Sequence, residues 1–228
     1  VRWIVEHVEG AAQALHDLPV RGDRLVRVHH VSAPALVLGS RQLPAEFAEV
    51  RDQGIDFATR RSGGGAVWLA PGEQLWVDVV VPAGDPLHSD DIRLAAHWMG
   101  DAWSAALGSH TRTWRSGVTN PSASAIACFA GVGPGEVTLH GRKLVGISQR
   151  RTRDWSRFQC VTYYRWVPEE LLRLLGMPGG SEVARSLRRS VAVLGDLGVP
   201  EVLGDRCGVW TDALLDRLVT QLDVVPTT

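Results

Sequence analysis

Apolar positions change their spacing several times along the chain, and the changes mark out its elements. LVRVHHVSAPALVLGS (25–40) predicts two strands, broken near Ser32 and Pro34. PAEFAEVRDQG (44–54) fits a short helix closed by Gly54. IDFATRR (55–61) reads as a strand entering SGGGA, and VWLA (67–70) and LWVDVVVP (75–82) flank a turn at Pro71-Gly72-Glu73. The second of these is apolar almost throughout and rich in valine, which predicts a central strand of a sheet.

Helical spacing replaces strand spacing in SDDIRLAAHWMGDAWSAALGS (89–109). Ile92, Ala95, Ala96, Met99, Trp103 and Ala106 recur every three or four residues and predict one buried face. Ser89 is the expected N-cap, Asp90 and Asp91 suit the positive end of the helix, and Gly108 stops it. GEVTLHGRKLVGIS (135–148) predicts a hairpin turning at His140-Gly141-Arg142, and FQCVTYYRW (158–166) another strand. The C-terminal portion, 168–222, reads as mainly helical, in PEELLRLLG, SEVARSLRRSVAVLGDLG and WTDALLDRLVTQL. Strands first and helices gathered late predict an α+β fold in a single domain, residues 1–228, with a mixed β-sheet and helices packed outside.

Composition narrows the function. With 45% hydrophobic residues the chain can bury a substantial core, and a formal net charge of −1 provides no global field for nucleic acid or an anionic membrane. The first residues, VRWIVEHVEGAAQALHDL, mix charges among apolar positions and resemble neither a signal peptide nor a membrane span. The cysteines Cys128, Cys160 and Cys207 form no CxxC pair, so neither zinc nor a disulfide framework is expected, and a reducing cytoplasm is the simplest compartment. The histidines show no HExxH or HxxEH spacing and read as structural or surface residues, so no metal is expected.

Against 24 basic side chains, Lys143 is the single lysine. An arginine bias can reflect base composition alone. It still gives meaning to the exception, because a site needing a compact ammonium, able to lose its proton or to fit where a planar fork cannot, does not accept arginine. RRSGGGAVW (60–68) lies between two predicted strands. Its glycines fit either close approach of a ligand, with Arg60 and Arg61 beside exposed N–H groups, or a hairpin turn with a bulge. No Walker lysine follows, and a strand rather than a dinucleotide-binding helix comes next. GVGPGE (131–136) reads as an ordinary loop. Cys128 fits a buried small hydrophobe, as do Cys160 and Cys207, or a nucleophile if its loop lies beside Lys143.

Three segments then line up in order. ALVLGSRQ (35–42), RRSGGGAVW (60–68) and GRKLVGISQRR (141–151) resemble the catalytic domain of the biotin/lipoate protein ligase superfamily, in its lipoate–protein ligase A and octanoyltransferase branch. The resemblance spans roughly residues 25–175, and its glycine and lysine motifs are specific only together. It implies the class II biotin/lipoyl synthetase-like fold and an enzyme that places a lipoyl or octanoyl group on a lysine of a lipoyl carrier domain. It also implies Lys143 at the acyl site and a substrate-binding loop of Arg60, Arg61, Ser62, Gly63, Gly64, Gly65, Ala66, Val67 and Trp68, with Gly146 beside the lysine. CFAGVGPGEVTLHGRK further resembles cysteine-dependent octanoyltransferases, with Cys128, Glu136 and Lys143 at comparable spacing.

Two mechanisms follow from the resemblance. A ligase would use ATP and Mg2+ to make lipoyl-AMP from free lipoate or octanoate. A transferase would need no cofactor, Cys128 taking the octanoyl group from an acyl carrier protein. Departures follow GGGAV, where ligases show Tyr-His-Asp and this chain reads Trp68-Leu69-Ala70, and precede Lys143, where Glu136-Val137 stands in place of Asn-Asp. Another departure, Gln159-Cys160-Val161, stands where relatives read Gln-His-Gly, and the accessory domain of long ligases has no counterpart. A non-catalytic acyl- or biotin-binding protein of the same fold is the alternative; a biotin ligase would carry a Gly-Arg-Gly-Arg loop, which is absent. Either enzyme needs a narrow apolar tunnel, for which Val67, Trp68, Leu75, Val77 and Ile147 are candidates; core packing explains the same residues equally.

Overall fold

The computed structural model describes residues 2–20, 22–43, 55–198 and 206–224. Its framework is a seven-stranded mixed sheet in the order β1-β2-β6-β10-β9-β8-β7. These strands are β1 (Ile4–Gly10), β2 (Leu25–Val31), β6 (Gln74–Pro82), β7 (Thr111–Thr113), β8 (Val137–Leu139), β9 (Arg142–Arg151) and β10 (Trp155–Tyr163). Only β1 and β2 run parallel, as the crossover through helix α1 (Ala12–Asp17) between them requires. A second, three-stranded sheet, β4-β3-β5, is built from β3 (Ala35–Leu38), β4 (Asp56–Thr59) and β5 (Val67–Leu69).

β6 explains how the layers stack. Its apolar run is buried over Gln74–Val81, because both faces of the large sheet are covered. Leu75, Val77, Val79 and Val81 point to one face, where α2 (Ile92–Leu107) and α6 (Arg206–Leu222) supply Met99, Trp103, Leu214 and Leu218. Trp76 points to the other, where Val37, Val67 and Leu69 of the small sheet meet it. The order is therefore helices, large sheet, small sheet. Helices α3 (Pro121–Ile126), α4 (Pro168–Leu174) and α5 (Glu182–Arg189) flank the small sheet through a cluster that includes Leu36, Leu38, Phe129, Leu172 and Leu187. No helix among the described residues is long and apolar enough to cross a membrane.

Several local expectations meet corrections. α2 is capped by Asp91, whose carboxylate accepts from the N–H groups of Arg93 and Leu94, not by Ser89. Starting there leaves Ile92 in solvent, and Trp98 and Ala102 join the buried face instead. The segment expected as one helix over 181–198 ends at Arg189; Val191 then pairs alongside Lys143 and only a short 3-10 turn, Leu194–Leu197, follows. The helix expected over 44–54 lies outside the described residues, as does the Cys207 side chain. β1 and α1 carry no clear apolar period in the sequence, since polar and charged residues interrupt both.

Beneath the small sheet, the large sheet carries a buried polar layer. Asp78 is fully buried and accepts from His29 Nε2 at 2.8 Å, Arg157 Nε at 2.7 Å and Trp76 Nε1 at 3.1 Å. Burial alone would raise its carboxyl, but His29 and Arg157 outweigh it and hold Asp78 well below the usual carboxylate range. Because the folded value is depressed, the stability Asp78 contributes is present above the ordinary carboxylate range and is lost as pH falls toward the depressed value. Asp78→Ala strands Arg157 without its counter-charge. It should lower unfolding free energy by about 3–5 kcal/mol, measured by denaturant titration, and should flatten the acid limb of the stability profile.

Candidate active site

Lys143 enters the interior because β9 changes partners there. From Gly146 to Arg151 it pairs with β10; before that, Ser190–Ala192 takes the place of β10, with Lys143 N–H donating to Ser190 O at 2.6 Å and Lys143 O accepting from Ala192 N at 2.8 Å. On its other side the pairing with β8 shifts by one residue between Val137 and Thr138. Such a bulge re-aims a side chain. The ammonium, on a residue 1% exposed, lies 2.7 Å from Glu136 Oε1, 3.0 Å from Cys128 O and 3.6 Å from Cys128 Sγ, with the Phe129 ring centroid at 4.6 Å. Glu136 is itself held by the N–H groups of Gly133 at 2.7 Å and Ile147 at 3.2 Å.

This geometry answers why lysine stands here. Three acceptors surround one nitrogen at the end of a thin stem, and Gly146 makes room for that stem, since a Cβ there would lie 2.9 Å from Phe129 and 3.0 Å from Lys143 Cε. A planar guanidinium does not fit this corner. Of the two reasons for a lysine, compact fit and ready proton loss, the geometry supports the first. Burial alone would lower Lys143, but the Cys128 and Glu136 side chains outweigh it and hold it above the ordinary lysine value.

Cys128 reaches the corner through the glycine loop. Ala66 and Ala127 pair in parallel; Ala66 N–H donates to Ile126 O and Cys128 N–H to Ala66 O, each at 2.9 Å. Gln42 of the first motif reinforces this, its Nε2 donating to Ile126 O at 3.0 Å while its Oε1 accepts from Gly39 N–H. Cys128 is half-buried and opens the 3-10 turn Cys128–Ala130. Cys160 is fully buried, and burial pushes its thiol well above the usual range.

The three glycines have separate reasons. Gly64 adopts φ +100°, and a Cβ on Gly65 would lie 2.5 Å from Ala127 N, so Gly65 is what lets the loop touch the Cys128 segment. Gly63 meets nothing within 4 Å and is open to a ligand. Arg60 turns inward and clamps the loop, its Nη2 donating to Gly63 O at 3.0 Å and Gly65 O at 2.7 Å. Arg61 is exposed, 4.0 Å from Asp17. Ser62 donates from Oγ to Ser148 Oγ at 3.1 Å, tying the loop to β9.

Between the two sheets lies a narrow, mainly apolar cavity of about 50 Å³. Cys128, Phe129 and Gly146 border one part; Val37, Val67, Leu69, Trp76, Ile147 and Val161 form its walls; His16, Arg60, Ser148 and Gln159 border the rest. Of the tunnel candidates Val67 and Ile147 line it. Leu75 and Val77 do not, because alternation along β6 sends them to the helical face and gives Trp76 to the cavity. Trp68 lies on the opposite face of β5 from Val67 and packs in the cluster of Leu36 and Leu38. Trp76, His16 and Phe129 line it without being among the sequence candidates, and Gln159 is marked in the sequence only as a departure from relatives; period-two counting from Val77 finds Trp76, and no sequence signal marks His16 or Phe129. Among the described residues no group of three or more His, Cys, Asp or Glu side chains is placed to hold a metal ion.

A family model described as the lipoyl protein ligase A/B catalytic domain matches residues 12–210. The chain belongs to this family. No curated protein matches the sequence. Among solved structures, lipoate-protein ligase A bound with ATP is similar at 20% identity and a TM-score of 0.69, over 97% of this chain and 85% of that one. A putative lipoate protein ligase from T. acidophilum with bound lipoic acid gives 19% and 0.67, over 97% and 85%. A bi-partite lipoate protein ligase from Thermoplasma acidophilum, studied with its E2 lipoyl domain, gives 18% and 0.66, over 97% and 84%. At these identities the likeness is one of fold, and it matches the α+β architecture above.

Two outcomes follow from the lipoyl ligase domain's packing. Lys143→Ala leaves Glu136 buried without its counter-charge and should cost about 3–5 kcal/mol of unfolding free energy; the double variant Lys143→Met/Glu136→Gln should recover most of it in the same denaturant titration. Gly65→Ala forces backbone apart and should destabilise by about 1–3 kcal/mol, whereas Gly63→Ala should leave the thermal midpoint in place, as calorimetry will read.

Proposed function

We propose that this protein is an acyltransferase that carries a lipoyl or octanoyl group as a thioester on Cys128 and passes it to a lysine of a lipoyl carrier domain. The observation that carries this reading is the Cys128 sulfur on the cavity wall, 3.6 Å from the buried Lys143 ammonium. A positive charge at that distance stabilises anionic sulfur, the form that attacks.

The chemistry then runs in two balanced steps. Anionic Sγ attacks the carbonyl carbon of a donor thioester, the Sγ–C bond forms, and the donor thiolate leaves and takes a proton. The amine of the carrier lysine attacks the new thioester, an amide forms, Sγ leaves, and the amine's proton goes to solvent. Thioester exchanges for thioester with little change in bond energy, so loading needs no nucleotide. In the resting site Lys143 spends its three N–H groups on Glu136, Cys128 O and Cys128 Sγ. Acylation of Sγ frees one of them for the carbonyl oxygen, where it stabilises the oxyanion of the second step.

The ligase reading retains one supporting observation, the exposed loop at Arg61 and Gly63, where a ligand meets open backbone. The similar structures solved with ATP and with lipoic acid support it as well.

Mixing the protein with octanoyl carrier protein and no ATP should add one octanoyl mass, sensitive to hydroxylamine and absent from Cys128→Ser. Lys143→Arg should lose transfer by at least about a hundredfold, because a planar guanidinium does not fit this corner and cannot place a donor on the same carbonyl oxygen. Consumption of ATP and free lipoate, with Cys128→Ser fully active, would establish the ligase instead. Failure of both reactions with every carrier domain tried would favour a binding protein of the same fold.

A further inference from the structure

Charge can be counted in the corner around Cys128. Lys143 brings one positive charge and Glu136 one negative, 2.7 Å apart, and the sulfur stands 3.6 Å from the same nitrogen. The other titratable groups nearby leave that count unchanged. Tyr163, on β10, packs edge-on against Phe129 and donates its OH to Trp68 O at 2.6 Å; burial pushes its phenol up, so it is neutral. His16, on the same cavity, is neutral too, because burial pushes it down to about 3. Arg60 is turned onto the carbonyls of Gly63 and Gly65.

The net charge of the corner therefore depends on the sulfur. With a neutral sulfur the three groups sum to zero. With a thiolate, one negative charge is left over beside residues that are 1% and 5% exposed, Lys143 and Glu136. An uncompensated charge is strongly disfavoured there. Two forms of the cysteine keep the corner neutral, the free thiol and an acyl thioester. Glu136 does not swing aside when the sulfur ionises, since the backbone N–H groups of Gly133 and Ile147 hold its two oxygens whatever Lys143 does.

We propose that Glu136 is a positioning residue for Cys128, acting through Lys143: it fixes the ammonium in place and cancels its charge whenever the sulfur is a thiol or a thioester, so that the thiolate is only the passing form between them. Its use in transfer rests on the acyl-transfer reading; the charge count does not. Without Glu136 the thiolate becomes the counter-charge of Lys143. The free protein is then favoured over the acylated one, in which the ammonium has no anion beside it.

Glu136→Gln keeps the length of the side chain and removes its charge. Alkylation of Cys128 by iodoacetamide, in which the Sγ–C bond forms and iodide leaves, should be followed by mass spectrometry across the neutral range of pH. The profile of Glu136→Gln should lie about one pH unit or more to the acid side of wild type, a gain in rate of about tenfold on the acid limb, because a like charge beside the sulfur is gone. Glu136→Asp, which keeps the charge, should return most of the shift. Equilibrium loading from the octanoyl thioester of a small thiol should fall in Glu136→Gln by about tenfold for each pH unit above its alkylation midpoint, until the small thiol itself ionises. A second pair of variants tests the count without relying on an uncompensated ammonium. Cys128→Asp puts a permanent negative charge at the sulfur's place and should lower the thermal midpoint, and Cys128→Asp/Glu136→Gln should restore it. Coincident alkylation profiles for wild type and a folded Glu136→Gln, or a double variant no more stable than Cys128→Asp, overturn the proposal. An alkylation shift in a protein that no thioester loads would sustain the role of Glu136 and sink the transfer reading alone.

Discussion

A single buried positive charge organises the molecule. An ammonium inside a protein is tolerated only with a counter-charge and a full set of acceptors, and meeting that demand for Lys143 recruits distant pieces of chain. Glu136 supplies the charge, the N–H groups of Gly133 and Ile147 hold Glu136, Cys128 supplies two further acceptors, and Ser190–Ala192 fixes the backbone. The bulge in β8–β9 and the departure of β10 from β9 are geometric consequences of that requirement. One side chain thus connects the hairpin, the 3-10 turn and the segment after α5.

The second buried charge cluster has the opposite character. Asp78 holds His29, Arg157 and Trp76 in a layer that makes the floor under the cavity stiff. Nothing in that layer is placed to react, since its carboxylate is saturated with donors. Its role is to orient Gln159, and through Gln159 the ring of His16. A rigid polar floor and an apolar wall make a cavity whose shape is set before anything enters it, which reduces the ordering cost of binding.

Much of this could be read from residue order alone. The hairpin turn at His140-Gly141 is legible because φ values of 50° and 78° are what such a pair readily adopts, and β6 because six of its nine residues are Leu, Trp or Val, interrupted only by Asp78. The lone lysine and the glycine loop marked the site. What stayed hidden depends on tertiary choices. Which face of β6 meets the cavity is decided by where the small sheet packs, and this exchanged Leu75 and Val77 for Trp76. The end of α5 at Arg189 follows from the need of β9 for a partner beside Lys143, which no local propensity records. α1 is six residues long and its charged neighbours mask its pattern, so His16 carried no signal.

The contact between Gly65 and Ala127 makes the glycine loop and the cysteine one mechanical body. Because Ala66 and Cys128 are joined by a backbone hydrogen bond, and the absent Cβ of Gly65 lets the two segments lie flush, any excursion of the loop away from β9 carries Cys128 with it. The position of the loop and the contact of the sulfur with Lys143 are then not independent: the loop cannot swing wide while the sulfur keeps its seat against the lysine. The link is inexpensive to build, requiring only one hydrogen atom in place of a methyl group.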